Sequence, residues 1–209
     1  MVYSQQDFDQ ACQSIITTAN YLHSQGWTPA TSSNFSQKLD THYCAITVSG
    51  KDKGRLTPDN IMIVDFEGKP QTPQKPSAET LLHTSLYGFD NSIGAVLHTH
   101  SLNSTLISLL TNNNILQLEG YELLKAFSGI STHEGAIAFP IFENTQDIAS
   151  LAEEVIDYLK TGKPCWGYLI KGHGVYTWGK DMASALRHLE AIEYLMKCEL
   201  EIMRIKGGK

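Results

Sequence analysis

The chain has 209 residues, a formal charge of −6, 42% hydrophobic and 18% charged residues, the balance of a globular protein with one sizeable core. The acidic balance, with no basic stripe carrying interleaved aromatics, argues against nucleic acid as a partner, and no apolar run approaches the ~20 residues of a membrane span. Met1–Gln10 is polar and reads as neither a signal nor a transit peptide, so the cytoplasm is the expected compartment and residues 1–209 read as a single domain.

Ser4, with Asp7 three residues on, forms a capping box that opens an amphipathic helix through Phe8, Ala11, Cys12, Ile15, Ile16, Ala19 and Leu22. Gly26 supplies its left-handed end. Thr31-Ser32-Ser33-Asn34 is a small polar loop whose hydroxyls and N–H groups suit a turn or an anion. Asn34–Leu39 and Tyr43–Val48 alternate about Asp40-Thr41-His42 as a hairpin. The second strand runs into Ser49-Gly50-Lys51-Asp52-Lys53-Gly54, which taken alone is a surface turn. Thr57-Pro58 starts a helical turn, and Ile61–Val64 is a strand. Ser77 is the expected N-cap of a helix running to about Tyr87, with Glu79 in its first turn and His83 in a structural place.

Ile93–Leu97 reads as a buried strand that ends in His98-Thr99-His100. Side chains two apart share a face, so both imidazoles point one way and offer two nitrogen donors to a metal, or are two satisfied histidines. Ser101–Leu110 reads as a helix. Glu119 and Glu122 follow in a locally apolar stretch, where burial would raise a carboxyl pKa and suit acid/base work; two solvated carboxylates are the plainer alternative. Ala136–Phe142 is a strand whose Pro140 suggests an edge or a bulge. Thr145 caps a helix through Leu159; Cys165–Ile170 and Val175–Trp178 are strands; a long helix runs from Asp181 to about Met203. Gly172-His173-Gly174 holds a histidine on a tight turn, free to project its ring. The four cysteines form no Cys-x-x-Cys pair and read as reduced thiols. Interleaved helices and strands with hairpins imply an α/β fold with helices on both faces of a mixed sheet.

Thr31-x-x-Asn34, Ser49-Gly50, Pro76-Ser77-x-Glu79, His98-x-His100 and Gly172-His173-Gly174 together resemble, in order, the class II (zinc-dependent) aldolase family across nearly the whole chain. Ala30 and Ser33 stand where that family usually carries glycine. The resemblance implies a three-layer α/β/α fold with a mostly antiparallel sheet, and homotetramers with sites between subunits. It implies one Zn²⁺ held by His98, His100 and His173, with Glu79 as a further ligand or proton carrier, and a small sugar-phosphate substrate whose phosphate lies among Asn34, Ser49, Gly50, Lys53 and Ser77. Gly120-Tyr121-Glu122-Leu123-Leu124-Lys125 is similar to a dehydratase branch of the family, in which a glutamate matching Glu122 is the catalytic acid/base. An aldolase, a 4-epimerase or a non-catalytic zinc-binding interaction protein are the alternatives.

Overall fold

The computed structural model describes residues 3–207. Both the single-domain reading of residues 1–209 and the reading of Met1–Gln10 begin at residues 1–2, which lie outside the described residues, as do residues 208–209. In chain order the elements are α1 (Gln5–Ser24), β1 (Asn34–Lys38), β2 (Tyr43–Thr47), β3 (Ile61–Asp65), α2 (Thr80–Phe89), β4 (Ala95–Thr99), α3 (Leu102–Leu110), β5 (Ile115–Glu119), β6 (Ala136–Phe142), α4 (Ile148–Lys160), β7 (Gly167–Ile170), β8 (Gly174–Gly179) and α5 (Met182–Gly207). The eight strands form one sheet in the order β3-β2-β1-β4-β8-β7-β6-β5. Among the described residues only β6 and β7 pair in parallel; every other neighbouring pair is antiparallel.

Both faces are covered. Phe35, Leu97, Leu169 and Val175 pack under Ile15, Leu189 and Ile192 of α1 and α5, with Ile107 of α3. Ile46, Met62, Val96, Tyr168 and Tyr176 pack under Leu82 and Leu86 of α2 and Leu151 and Val155 of α4. Successive strand residues point to opposite faces, so Val96 and Leu97 of β4 enter different cores. That is why Ile93–Leu97 reads as a continuous apolar run rather than an alternating one.

Several boundaries differ from the sequence expectation. The helix expected from Ser77 begins at Thr80; Ser77 Oγ instead accepts from the Glu79 N–H, and its carbonyl from Thr80, in a turn that precedes the helix. The cap of α4 is Asp147, whose carboxylate accepts from the Ser150 N–H, while Thr145 Oγ1 accepts from Asp147 one turn earlier. β6 is the penultimate strand. Ile141 N–H donates to Asn114, so the Pro140 nitrogen points away from β5, to the side where β7 joins only at Ile141 and Phe142. No ladder bond is lost by the proline.

The strand directions place the site. β4 ends, β8 begins, and β1 begins at one end of the sheet, where Asn34 pairs with His98 and Thr99 with Val175. β7 and β6 end there too. β5 runs antiparallel to β6, so Glu119 and the residues after it emerge at the opposite end.

Candidate metal centre

His98 is the last inward-facing residue but one of β4, wholly buried against the α2 side of the sheet. Its Nδ1–H donates to the Val175 carbonyl, 3.0 Å away on β8. That bond selects the tautomer and leaves the Nε2 lone pair bare. Tyr176 stacks on the opposite ring face, with centroids 3.9 Å apart and planes 13° from parallel. His100 lies just past the strand end, held by its N–H to the Trp27 carbonyl. Its Nε2 is 2.8 Å from that of His98 and 3.1 Å from that of His173.

His173 is presented by the turn between β7 and β8. Gly172 at φ 65° takes the left-handed conformation this turn needs, and its N–H donates to Ser108 Oγ. Thr105 Oγ1 donates to the His173 carbonyl, so α3 clamps both ends of the histidine's backbone. Gly174 has no room for a side chain: a Cβ there would lie 2.1 Å from the Thr99 carbonyl and 3.0 Å from His98 Cε1. Glu79, at the start of α2, completes the group, with Oε1 3.0 Å from His173 Nε2 and Oε2 3.5 Å from His98 Nε2.

These four side chains form a group that could hold a metal ion. One donor atom from each lies within 4.8 Å of all the others. Burial pushes the His98 imidazole well below its usual range, and burial together with the neighbouring His173 lowers His100 to about 4, so both are neutral near pH 7. Burial alone would raise Glu79, but the imidazoles beside it and hydrogen bonds from His173 and the Asn34 amide outweigh it and place the carboxyl well below the usual range. Bare nitrogen lone pairs converging on one point beside an anion suit a divalent cation. Three imidazoles and an oxygen donor without thiolate are the set of an open, catalytic transition-metal site rather than a closed structural one.

The polar loops converge on the same place. Thr31, Ser32, Ser33, Asn34, Ser49, Gly50 and Ser77 line a hollow of about 150 Å³ that opens onto Glu79 and His100. A second, of about 210 Å³, is bounded by Ser49, Ser77, Glu79, Asn144, Thr145 and His173. In the first loop Ala30, Thr31 and Ser33 sit at φ 51°, 60° and 76°. Two of these are the positions where glycine was expected, so the chain keeps the left-handed backbone and bears its strain without glycine.

Lys53, expected beside the phosphate, is 1% exposed. Its ammonium donates to the carbonyls of Lys51 and Thr31 and pins the two loops together; burial lowers it to about 8. Asn34 spends its amide on Glu79 and His83. Asn144 and Thr145 of the second hollow went unread as site residues; a polar Glu143-Asn144-Thr145 run at a strand end was the available signal.

Glu122 is not brought to this cluster. It lies in a 3₁₀ turn after β5, at the far end of the sheet, with its side chain 72% exposed and 2.5 Å from Lys125 Nζ. The apolar neighbours do not bury it: the Lys125 hydrogen bond lowers its carboxyl rather than burial raising it. Glu119 is exposed at the end of β5. Within one chain neither reaches the histidines.

A family model described as the class II aldolase and adducin N-terminal domain matches residues 13–200. The chain belongs to the class II aldolase family. Its relatives include a protein of Stenotrophomonas maltophilia, 57% identical with 95% of this chain and 93% of that one covered, and one of Xanthomonas euvesicatoria, 53% identical with 99% and 96% covered. Both are named methylthioribulose-1-phosphate dehydratase. Among solved structures, the L-fuculose-1-phosphate aldolase of Thermus thermophilus superposes with a TM-score of 0.75 at 22% identity, covering 95% of this chain and 96% of that one. A sugar-phosphate aldolase of Thermotoga maritima gives 0.68 at 19%, covering 94% and 96%. The three-layer α/β/α fold with a mostly antiparallel sheet is thus the class II aldolase fold.

Proposed function

We propose that this class II aldolase family member is a methylthioribulose-1-phosphate dehydratase, removing water from 5-methylthioribulose 1-phosphate to give the 2,3-diketo-5-methylthiopentyl phosphate in methionine salvage. The observation that carries this reading is the likeness, at 53–57% identity over nearly the whole chain, to relatives bearing that name. The open site of three imidazoles and a carboxylate at the sheet end supplies what such a reaction needs.

His98, His100 and His173 would hold the metal, read as Zn²⁺, with Glu79 as a fourth ligand or proton carrier. A divalent cation there supplies Lewis acidity toward the C2 carbonyl, which makes the C3 proton acidic. The substrate phosphate lies in the hollow lined by Asn34, Ser49, Gly50 and Ser77, whose loop N–H groups and hydroxyls suit an anion. Lys53 acts there by holding the Thr31 loop in place and by its charge. Glu122 takes the C3 proton and returns a proton to the departing C4 hydroxyl; water leaves and the enol becomes the diketone.

Because Glu122 leaves the sheet at the opposite end from the histidines, that role requires a second copy of the chain. The protein is then a homotetramer, as the resemblance to its family implies, with sites shared between subunits. Its exposed position is then the position of a residue offered to a neighbour. The four free thiols suit a reducing, cytoplasmic setting, and among the described residues no helix is long and apolar enough to cross a membrane.

The test is turnover of 5-methylthioribulose 1-phosphate by the zinc-loaded protein. Diketone is expected, lost on chelation and in Glu122→Ala. Mixing Glu122→Ala with His98→Ala chains, each inactive alone, restores part of the activity if the site is shared. Release of a triose phosphate from a hydroxylated ketose phosphate, with no diketone, places the chain in the aldolase branch instead. Zinc binding with neither activity would make it a silent binding protein.

A further inference from the structure

From Glu79 and Asn34 at the edge of the hollow, a file of buried polar side chains runs inward to His83, Ser36 and Tyr87, which the reaction does not use. Glu79, His83 and Tyr87 recur every fourth residue and lie on one side of α2. Asn34 and Ser36 are two apart on β1 and share the facing side of the sheet. The two rows interlock. Asn34 Nδ2 is 2.7 Å from Glu79 Oε2; Asn34 Oδ1 meets His83 Nε2; His83 Nδ1 is 2.8 Å from Ser36 Oγ; Ser36 Oγ is 2.7 Å from Tyr87 OH. Asn34 is 4% exposed, Tyr87 2%, and Ser36 and His83 not at all.

The proton positions follow from the chemistry of the end group. Asn34 turns its NH₂ to Glu79, with Nδ2 donating to Oε2. Its carbonyl oxygen then faces His83 and needs a donor, so Nε2 carries the proton. Burial lowers the His83 imidazole to about 3 and keeps it neutral, so its Nδ1 is an acceptor and Ser36 must donate. Ser36 has one proton, now used, and Tyr87 O–H donates to its oxygen. Every bond points the same way, from Tyr87 to Glu79. Aligned bonds in a dry interior polarise one another.

We propose that Tyr87, Ser36, His83 and Asn34 form a one-directional hydrogen-bond chain that aims the Glu79 carboxylate at the histidine triad, which makes His83 a positioning residue of the metal centre two bonds away from it. The inference rests on the reading of the triad and Glu79 as a metal site. It gives Asn34 a task besides any contact with phosphate: its side chain carries the orientation from His83 to Glu79.

The first test needs no substitution. In ¹⁵N-labelled, zinc-loaded protein, long-range ¹H–¹⁵N correlation of the histidine rings should show His83 neutral with its proton on Nε2. A proton on Nδ1 overturns the chain. The second test measures zinc affinity by competition with a chromogenic chelator. His83→Phe keeps the bulk but removes the donor, and should weaken zinc ~10–100-fold, the usual reach of a group that orients a metal ligand. His83→Gln, whose amide can donate to Asn34, should recover part of it. Unchanged zinc affinity in His83→Phe, with only a lower unfolding temperature, would make His83 a packing residue and refute the proposal. If that variant does not fold, the tautomer in the unsubstituted protein decides. Failure of the dehydratase reading shows separately, as absent turnover with both of these readouts intact.

Discussion

Replacing Glu193 by glutamine should stabilise the protein at alkaline pH and not at acid pH. Glu193 lies on α5, 2% exposed, against the first turn of α3; Asn103 Nδ2 donates to its Oε2 at 3.1 Å, and its Oε1 is buried without a hydrogen-bond partner. Burial raises its pKa from 4.5 to about 7, opposed by Ser101 and Asn103. The folded state therefore keeps a proton that the unfolded chain releases at about 4.5. The favourable contribution of that proton is complete below 4.5 and is lost as the pH rises through 7. At ~1.4 kcal/mol per unit, ionisation above pH 7 costs about 3 kcal/mol. Glutamine retains the size and the acceptor for Asn103 but cannot ionise. Denaturant titrations at about pH 4 and pH 8 should show near-equal stabilities for the two proteins at the lower value and a gain of about 3 kcal/mol for the variant at the higher. At this chain length that is a rise in unfolding temperature of roughly 10 °C. An equal difference at both pH values would refute the reasoning, because a packing change carries no proton.

Zinc should raise the unfolding temperature of chelator-treated protein, by about 2.7 kcal/mol of stability at a hundredfold excess over Kd, and His98→Ala should abolish the shift in a thermal melt. Gly174→Ala should lower stability by several kcal/mol and empty the centre of zinc, measured by denaturation and metal content, since its Cβ would collide with the Thr99 carbonyl at 2.1 Å and press on His98. Ala30→Gly should stabilise by about 0.5–1 kcal/mol in denaturant titration: relief of a left-handed alanine at φ 51° outweighs the entropy glycine loses. A loss of stability there would mean that the loop is not strained.

The periodicities visible in the sequence carried most of the secondary structure, because helix and strand patterns are local. The capping box at Ser4 and Asp7 and the left-handed Gly26 stand as read, each being a few neighbouring atoms satisfying one another. The histidines of the candidate metal centre were legible for a similar reason. A strand period of two puts His98 and His100 side by side, and a glycine-flanked histidine has little to do in packing. Helix starts were read less well: Ser77 and Thr145 are sound caps by type, yet the chain turns once more before α2 and α4 begin. What no local pattern contains is the direction of each strand. The antiparallel pairing of β5 with β6 carries Glu122 to the end of the sheet away from the histidines, exposed beside Lys125, although its neighbours in sequence are apolar. Likewise His83 reads as an isolated core histidine until β1 is laid against α2. Only then do residues far apart along the chain stand within hydrogen-bond distance, and a spacing of two on a strand meets a spacing of four on a helix. Local periodicity determined which residues share a face; tertiary pairing decided which faces meet, because that choice depends on the burial of the whole sheet.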